Sequence, residues 1–246
     1  MLAGGFAHAQ VMGLLVVCTR NRLHKGVMIR TLALASLLFC AAPALAQDIG
    51  TVSHPNVVYE LFTSQGCSSC PPANKQVAAL STEPDALALS YGVTYWDYLG
   101  WTDTFAKPEF TARQHAYVKA MGARNAYTPQ IVVNGESHSS RLRKAAVSRS
   151  LETAVDLVES DGRLTAASKD GSGGEVLLIT YMPGTQSVDV ARGENSGRTL
   201  KLANVVKDVQ AVRLPHSFKT VSGEAYAVIA HGADLSVTSV AVWTSN

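Results

Sequence analysis

Apolar and polar positions divide this chain into a leader, a stretch where strand-like and helix-like periods alternate, and a final stretch of strand-like periods. Val57 to Phe62 is a nearly unbroken apolar run, the pattern of a central strand covered on both faces. Pro72 to Leu80 follows as a helix, with Val77 and Leu80 three apart, and Ala86 to Tyr91 reads as a second buried strand. Lys107 to Met121 predicts a helix: Pro108 sits near its start, Phe110, Tyr117 and Met121 share a face, and Gly122 stops it. Ile131 to Val133 is a short strand closed by the turn pair Asn134-Gly135. Arg141 to Ser160 places Leu151, Ala154, Val155 and Val158 at helical spacing.

After Asp161-Gly162 the period changes. Arg163 to Ser168, Glu175 to Tyr181, Val188 to Ala191, Arg198 to Val206, Val209 to Leu214, Ala225 to Ala230 and Ser236 to Thr244 all read as strands between Gly-, Asp- and Ser-rich turns. Residues 162–246 are therefore expected to be antiparallel β, sandwich-like or packed on residues 47–161 as one unit.

The first 46 residues are expected to be absent from the folded protein. Met28 to Ala46 has a basic start at Arg30, an apolar stretch and the ending Ala44-Leu45-Ala46, which reads as a secretory signal cleaved before Gln47. Met28 is the preferred start, and the apolar stretch is shorter than the ~20 residues of a membrane span, so no stable anchor is expected. Cleavage carries away Cys18 and Cys40, leaving Cys67 and Cys70 in a periplasmic or secreted, oxidising compartment. Four of the 21 Lys and Arg residues lie before residue 46 and none of the 19 acids does, so the remainder is slightly acidic. That balance does not suggest a nucleic acid or an anionic membrane as partner.

The two remaining cysteines stand in Cys67-Ser68-Ser69-Cys70, between the strand-like and helix-like segments. Cysteines three apart at a helix start share one face of its first turn, and unpaired helix N–H groups there favour the thiolate. Pro71 and Pro72 lack N–H groups, which weakens that support. Redox-active exchange, a static disulfide and half of a metal site are all open. A zinc site wants four ligands, and the histidines after residue 46, His54, His115, His138, His216 and His231, have no paired spacing.

Tyr127-Thr128-Pro129-Gln130 before the Ile131 strand is a second diagnostic element, and with the cysteine motif it resembles the thioredoxin-like superfamily. That resemblance implies a cis proline at Pro129 facing the cysteines, and Thr128 as the residue whose backbone pairs with a substrate peptide. Most of the chain is similar to a secreted bacterial family known as domain of unknown function 1223. The residues that carry the similarity are Glu60 to Ala73, Tyr95 to Trp101, Phe110 to Gln114, Tyr127 to Gln130 and Arg192 to Arg198. Other members read His-Val-Asp where this chain has Gly92-Val93-Thr94, so no role is carried to those positions. The fold implied is α/β: a thioredoxin-like domain over residues 47–161, with a helical aromatic insertion at about 92–124, and a β-rich C-terminal region.

The expected function is that of an exported thiol-disulfide oxidoreductase working through a mixed disulfide. Cys67 attacks or is attacked, Cys70 resolves, no bound cofactor is needed, and the partners are protein or small-molecule thiols and disulfides. Glu60, the charge inside the apolar run, is a candidate proton relay to Cys70 or a partner for a cation such as Arg113. Trp96 and Trp101, from a segment holding eight aromatics between Tyr91 and Tyr117, are candidates for gripping substrate, with insertion packing the competing role. The alternatives of a different class are a non-enzymatic binding module stapled by Cys67–Cys70, and a thiolate metal carrier suited to Cu(I).

Overall fold

The computed structural model describes residues 50–142 and 150–245. The expected leader with its expected cleavage site and Met28, and residues 143–149 of the expected helix, lie outside the described residues.

The described chain runs β1 (Thr51–Ser53), β2 (Val57–Thr63), α1 (Pro71–Leu80), β3 (Ala86–Gly92), a 3-10 turn (Asp97–Leu99), α2 (Pro108–Ala120), β4 (Gln130–Val133) and β5 (Ser137–Ser139). It continues through β6 (Val155–Ser160), β7 (Arg163–Ser168), β8 (Gly174–Val190), β9 (Arg198–Leu214), β10 (His216–Lys219), β11 (Ala225–His231) and β12 (Val237–Thr244). Nine strands form one mixed sheet in the order β1-β12-β11-β8-β9-β3-β2-β4-β5, and β10-β7-β6 form a second. The join between the two parts of the chain is parallel: Ser90 of β3 lies opposite Val205 of β9, and its hydroxyl donates to the Ala203 carbonyl at 2.7 Å.

Side chains alternate across the large sheet. Val58, Phe62, Leu89 and Tyr91 share one apolar cluster with Phe110 and Tyr117 of α2 and Ala227 and Ile229 of β11. Val57, Leu61 and Ala88 face the other way, onto Ala73 and Val77 of α1. On that side of β11, Tyr226 and Val228 share a cluster with Leu157, Leu164 and Ala166 of the small sheet. Nearly every strand of the large sheet thus has apolar residues on both faces, which is why β2 reads as an almost continuous apolar run.

This architecture corrects the expected fold class. The molecule is mostly β, built on a large mixed sheet with two α-helices among the described residues, and not a helix-rich thioredoxin-like α/β domain with a helical insertion. Two physical causes account for the difference. Only Pro108–Ala120 of the expected insertion is α-helical, because the preceding segment is held as a loop by side chain to backbone bonds: Asp97 Oδ1 accepts from Asp103 N at 3.1 Å, and Asp103 Oδ1 from Phe105 N at 2.8 Å. The C-terminal strands also extend the same sheet, β8 and β9 pairing over 17 residues each. A further correction is β6, where part of the expected helix is a strand whose Val155 and Leu157 are buried in alternation. Among the described residues no helix is long and apolar enough to cross a membrane.

Candidate functional site

The cysteine loop hangs between the end of β2 and the start of α1. Cys67 and Cys70 form a disulfide with Cα atoms 5.5 Å apart, and both residues are fully buried. Cys70 N–H donates to Cys67 C=O at 3.2 Å, and Cys70 is the N-cap of α1. Pro71 and Pro72 carry no N–H, while Ala73 N and Asn74 N both donate to the Cys70 carbonyl at 3.0 Å. None of these first donors is therefore left to support a thiolate at Cys67, contrary to the usual helix start. The Ser69 hydroxyl lies 3.3 Å from Cys67 Sγ and donates to the Thr128 carbonyl at 3.4 Å.

Thr128 and Pro129 stand beside the loop, joined by a cis peptide bond, and Trp96 Nε1 donates to Thr128 Oγ1 at 2.7 Å. Ser69, Pro72, Thr128, Pro129 and Arg141 contribute to a groove of about 710 Å³ along this side of α1. The structure thus brings Cys67, Cys70, Thr128, Pro129 and Trp96 together.

Trp101 takes a different position. Its indole N–H donates to the Gln65 side-chain carbonyl at 2.8 Å, and its ring packs on the cluster of Val190, Leu200, Leu202 and Val205. Both tryptophans are half-buried and use their N–H groups internally, while Tyr98 between them is the exposed aromatic, at 79%. Trp101 therefore packs and orients the loop through Gln65, and the free aromatic face belongs to Tyr98. Gln65 N–H also donates to Asp103 Oδ2 at 2.7 Å, and burial pushes the Asp103 carboxyl up although the Gln65 and Phe105 amides pull it down.

Glu60 is partnered by Arg113 and Tyr117. Its side chain points to the α2 face of the sheet, with Val58 and Phe62, whereas Cys70 leads into α1 on the opposite face. Arg113 makes a two-pronged contact with it, Nε to Oε2 at 2.7 Å and Nη2 to Oε1 at 2.9 Å, and Tyr117 donates its hydroxyl to Oε1. Burial alone would raise the Glu60 pKa; the Arg113 charge and these hydrogen bonds outweigh it and hold the carboxyl below its ordinary range. His231 Nε2 sits 3.2 Å from Arg113 Nη2, completing a buried cluster that ties β2, α2 and β11 together.

The loop between β8 and β9, within Arg192 to Arg198, reaches the cysteine loop. Glu194 Oε2 accepts from Ser68 N at 3.0 Å and from Ser68 Oγ at 2.6 Å, bonds that hold its carboxyl below the ordinary range. Asn195, fully buried, donates from Nδ2 to the carbonyls of Gln65 at 3.0 Å and Cys67 at 2.8 Å, and Arg198 Nη1 donates to its Oδ1 at 3.1 Å. The family similarity over Arg192 to Arg198 marks these residues in the sequence but not their partners, which lie 126 to 130 positions away. Among the described residues no group of three or more His, Cys, Asp or Glu side chains is arranged to hold a metal ion.

The chain is similar to the crystal structure of a protein from Agrobacterium tumefaciens, 28% identical, over 79% of this chain and 96% of that one, with a TM-score of 0.58. It also aligns with HBP35 of Porphyromonas gingivalis, 16% identical over 78% of this chain and 75% of that one, with a TM-score of 0.48. No curated protein matches it. Residues 58–242, spanning both cysteines, Thr128-Pro129 and the Glu194–Asn195 loop, match the family described as "Protein of unknown function (DUF1223)", and the chain belongs to that family.

Proposed function

We propose that Cys67 and Cys70 carry out thiol-disulfide exchange outside the cytoplasm, on protein or small-molecule disulfides. The observation that carries this reading is the groove that starts at Ser69, between the cysteines, and runs along Thr128 and Pro129. A bound chain there lies next to the disulfide, and Thr128, whose carbonyl accepts from the Ser69 hydroxyl at 3.4 Å, is at hand for its backbone. In the exchange, a substrate thiolate attacks Cys67 Sγ, the Cys67–Cys70 bond breaks, and Cys70 leaves as a thiolate that takes up a proton. A second substrate thiolate then releases Cys67, so two electrons enter the pair and the substrate dithiol becomes a disulfide. Run backwards, the same steps reduce a substrate disulfide. The signal-like leader supports placing this chemistry in an oxidising compartment, and N-terminal sequencing of exported protein starting at Gln47 tests that part.

The test of exchange uses Cys70→Ser, which cannot resolve a mixed disulfide. Reduced and mixed with glutathione disulfide in the native state, it is expected to gain one glutathionyl group at Cys67. Labelling seen only after denaturation would overturn the proposal. A second reading is favoured by the full burial of both cysteines: a binding module in which the disulfide staples the loop, which predicts that second outcome.

A further inference from the structure

The Glu194 carboxylate is hydrogen-bonded to the residue that follows Cys67, and this bears on the direction of exchange. A cysteine thiolate at such a motif is ordinarily stabilised by backbone N–H groups and positive charge around it. Here the Ser69 hydroxyl, 3.3 Å from Cys67 Sγ, is shared with the Thr128 carbonyl, the Ser68 N–H is taken by a carboxylate, Cys70 N by the Cys67 carbonyl, the next two residues are prolines, and Ala73 N and Asn74 N are turned to the Cys70 carbonyl. The other charged groups tied to this loop act at one remove. Arg198 from β9 bonds Asn195, Asp103 from the segment before α2 bonds Gln65 N, and Arg141 stands across the groove. Asn195 fixes Glu194 in place by its bonds to the Gln65 and Cys67 carbonyls on the same loop.

We infer that Glu194 is a positioning residue that raises the cost of the Cys67 thiolate and so poises the pair as an electron donor. The substrates are then disulfides, and a dithiol donor recharges the pair. At a pH where the reduced pair carries the thiolate, destabilising it destabilises the reduced form, hence a lower reduction potential and a stronger reductant. In that direction the Cys67 thiolate attacks one sulfur of a substrate disulfide, the other sulfur leaves as a thiolate and is protonated. Cys70, after losing its proton, attacks Cys67 Sγ and expels the second substrate thiol. Two electrons pass to the substrate, and a dithiol returns them to the pair.

This inference rests on the exchange reading, and the experiment separates the two. The Cys67 thiol pKa is measured by ultraviolet thiolate absorbance in Cys70→Ser, with and without Glu194→Gln, a change that keeps an acceptor for Ser68 but removes the charge. The expected result is a fall of about half a pH unit or more, roughly a threefold gain in thiolate below the pKa. In the two-cysteine protein, at a pH above the Cys67 thiol pKa, the glutathione equilibrium should move toward the dithiol by a similar factor. Glu175→Gln, at the far end of β8, should change neither. An unchanged thiol pKa in Glu194→Gln overturns the inference. So does a shift produced by Glu194→Ala but not by Glu194→Gln, since that would be the loss of a hydrogen bond. A native pair that never exchanges with glutathione, with the pKa shift present, refutes the exchange reading and the donor role but upholds the effect of Glu194 on the thiol.

Discussion

Asn195 donates a hydrogen bond to the Cys67 carbonyl at 2.8 Å from 128 residues away, and so ties the turn between the two longest strands to the loop that carries the disulfide. The same amide nitrogen reaches the Gln65 carbonyl at 3.0 Å, and the residue is fully buried. The loop is therefore held from outside its own segment, while β2 and α1 fix only its ends.

Asn195→Ala should leave both carbonyls without this donor. The Cys67 carbonyl keeps the Cys70 N–H, so at about 1–3 kcal/mol for a buried group left unsatisfied a loss of that size is expected, read as a lower urea midpoint with little change in slope. Alkylation of Cys67 in the reduced variant should also become faster, because the loop loses its outer tether.

Arg113→Ala should be among the most damaging single changes on the α2 face. It strands the Glu60 carboxylate, which is 1% exposed, and removing one partner of a buried pair costs about 3–5 kcal/mol. Glu60→Gln at a temperature where it stays folded should leave the pH profile of Cys70 alkylation unchanged, since Arg113 and Tyr117 engage both carboxylate oxygens. A profile that moves would restore the proton relay.

Stability should fall on the acid side in two steps. Burial and the Arg113 charge lower the His231 pKa from 6.5 to about 4. The unfolded chain therefore binds a proton in that interval that the folded one refuses, and folding weakens as pH drops from 6.5 toward 4. Glu60, also held below its ordinary 4.5, adds a loss as pH falls below that value through its folded pKa. Denaturant titrations at each pH should show the slope, and His231→Gln should flatten the upper step while leaving the lower one.

Gly92→Ala should destabilise the end of β3. An added Cβ would lie 2.8 Å from Ala106 N and 2.9 Å from Ala106 Cα, both backbone atoms, so the segment before α2 would have to shift. Such overpacking costs typically about 1–3 kcal/mol, measurable by thermal unfolding.

Much of the element order was legible because it is local. Phe110, Gln114 and Tyr117 are buried on one side of α2 at helical spacing, and β2 reads as an apolar run because both its faces are covered. Each of β8 and β9 looks like two strands in sequence, since Pro183-Gly184 and Lys207-Asp208 interrupt the pattern. The register shifts between Thr180 and Tyr181 and between Met182 and Thr185 let the ladder continue past them. β6 was misread because Val155 and Val158 fit a helical period, while Val155 and Leu157 fit a strand; packing on the large sheet decided between them. The side of Glu60 was available from parity with Val58 and Phe62. Glu194 and Asn195 were not legible as site residues, because their role exists only where the chain returns to the cysteine loop.

The most direct measurement on the central claim is reduction of the folded protein. Native protein is treated with a dithiol at neutral pH, alkylated, and its labelled cysteines counted by mass while near-ultraviolet circular dichroism follows the packing of Trp96 and Trp101. The expected result is that Cys67 and Cys70 are both labelled with the native spectrum retained, and that the reduced pair is reoxidised by a disulfide substrate. Reduction that occurs only when denaturant or heat has abolished the native spectrum would contradict exchange and make the disulfide a staple.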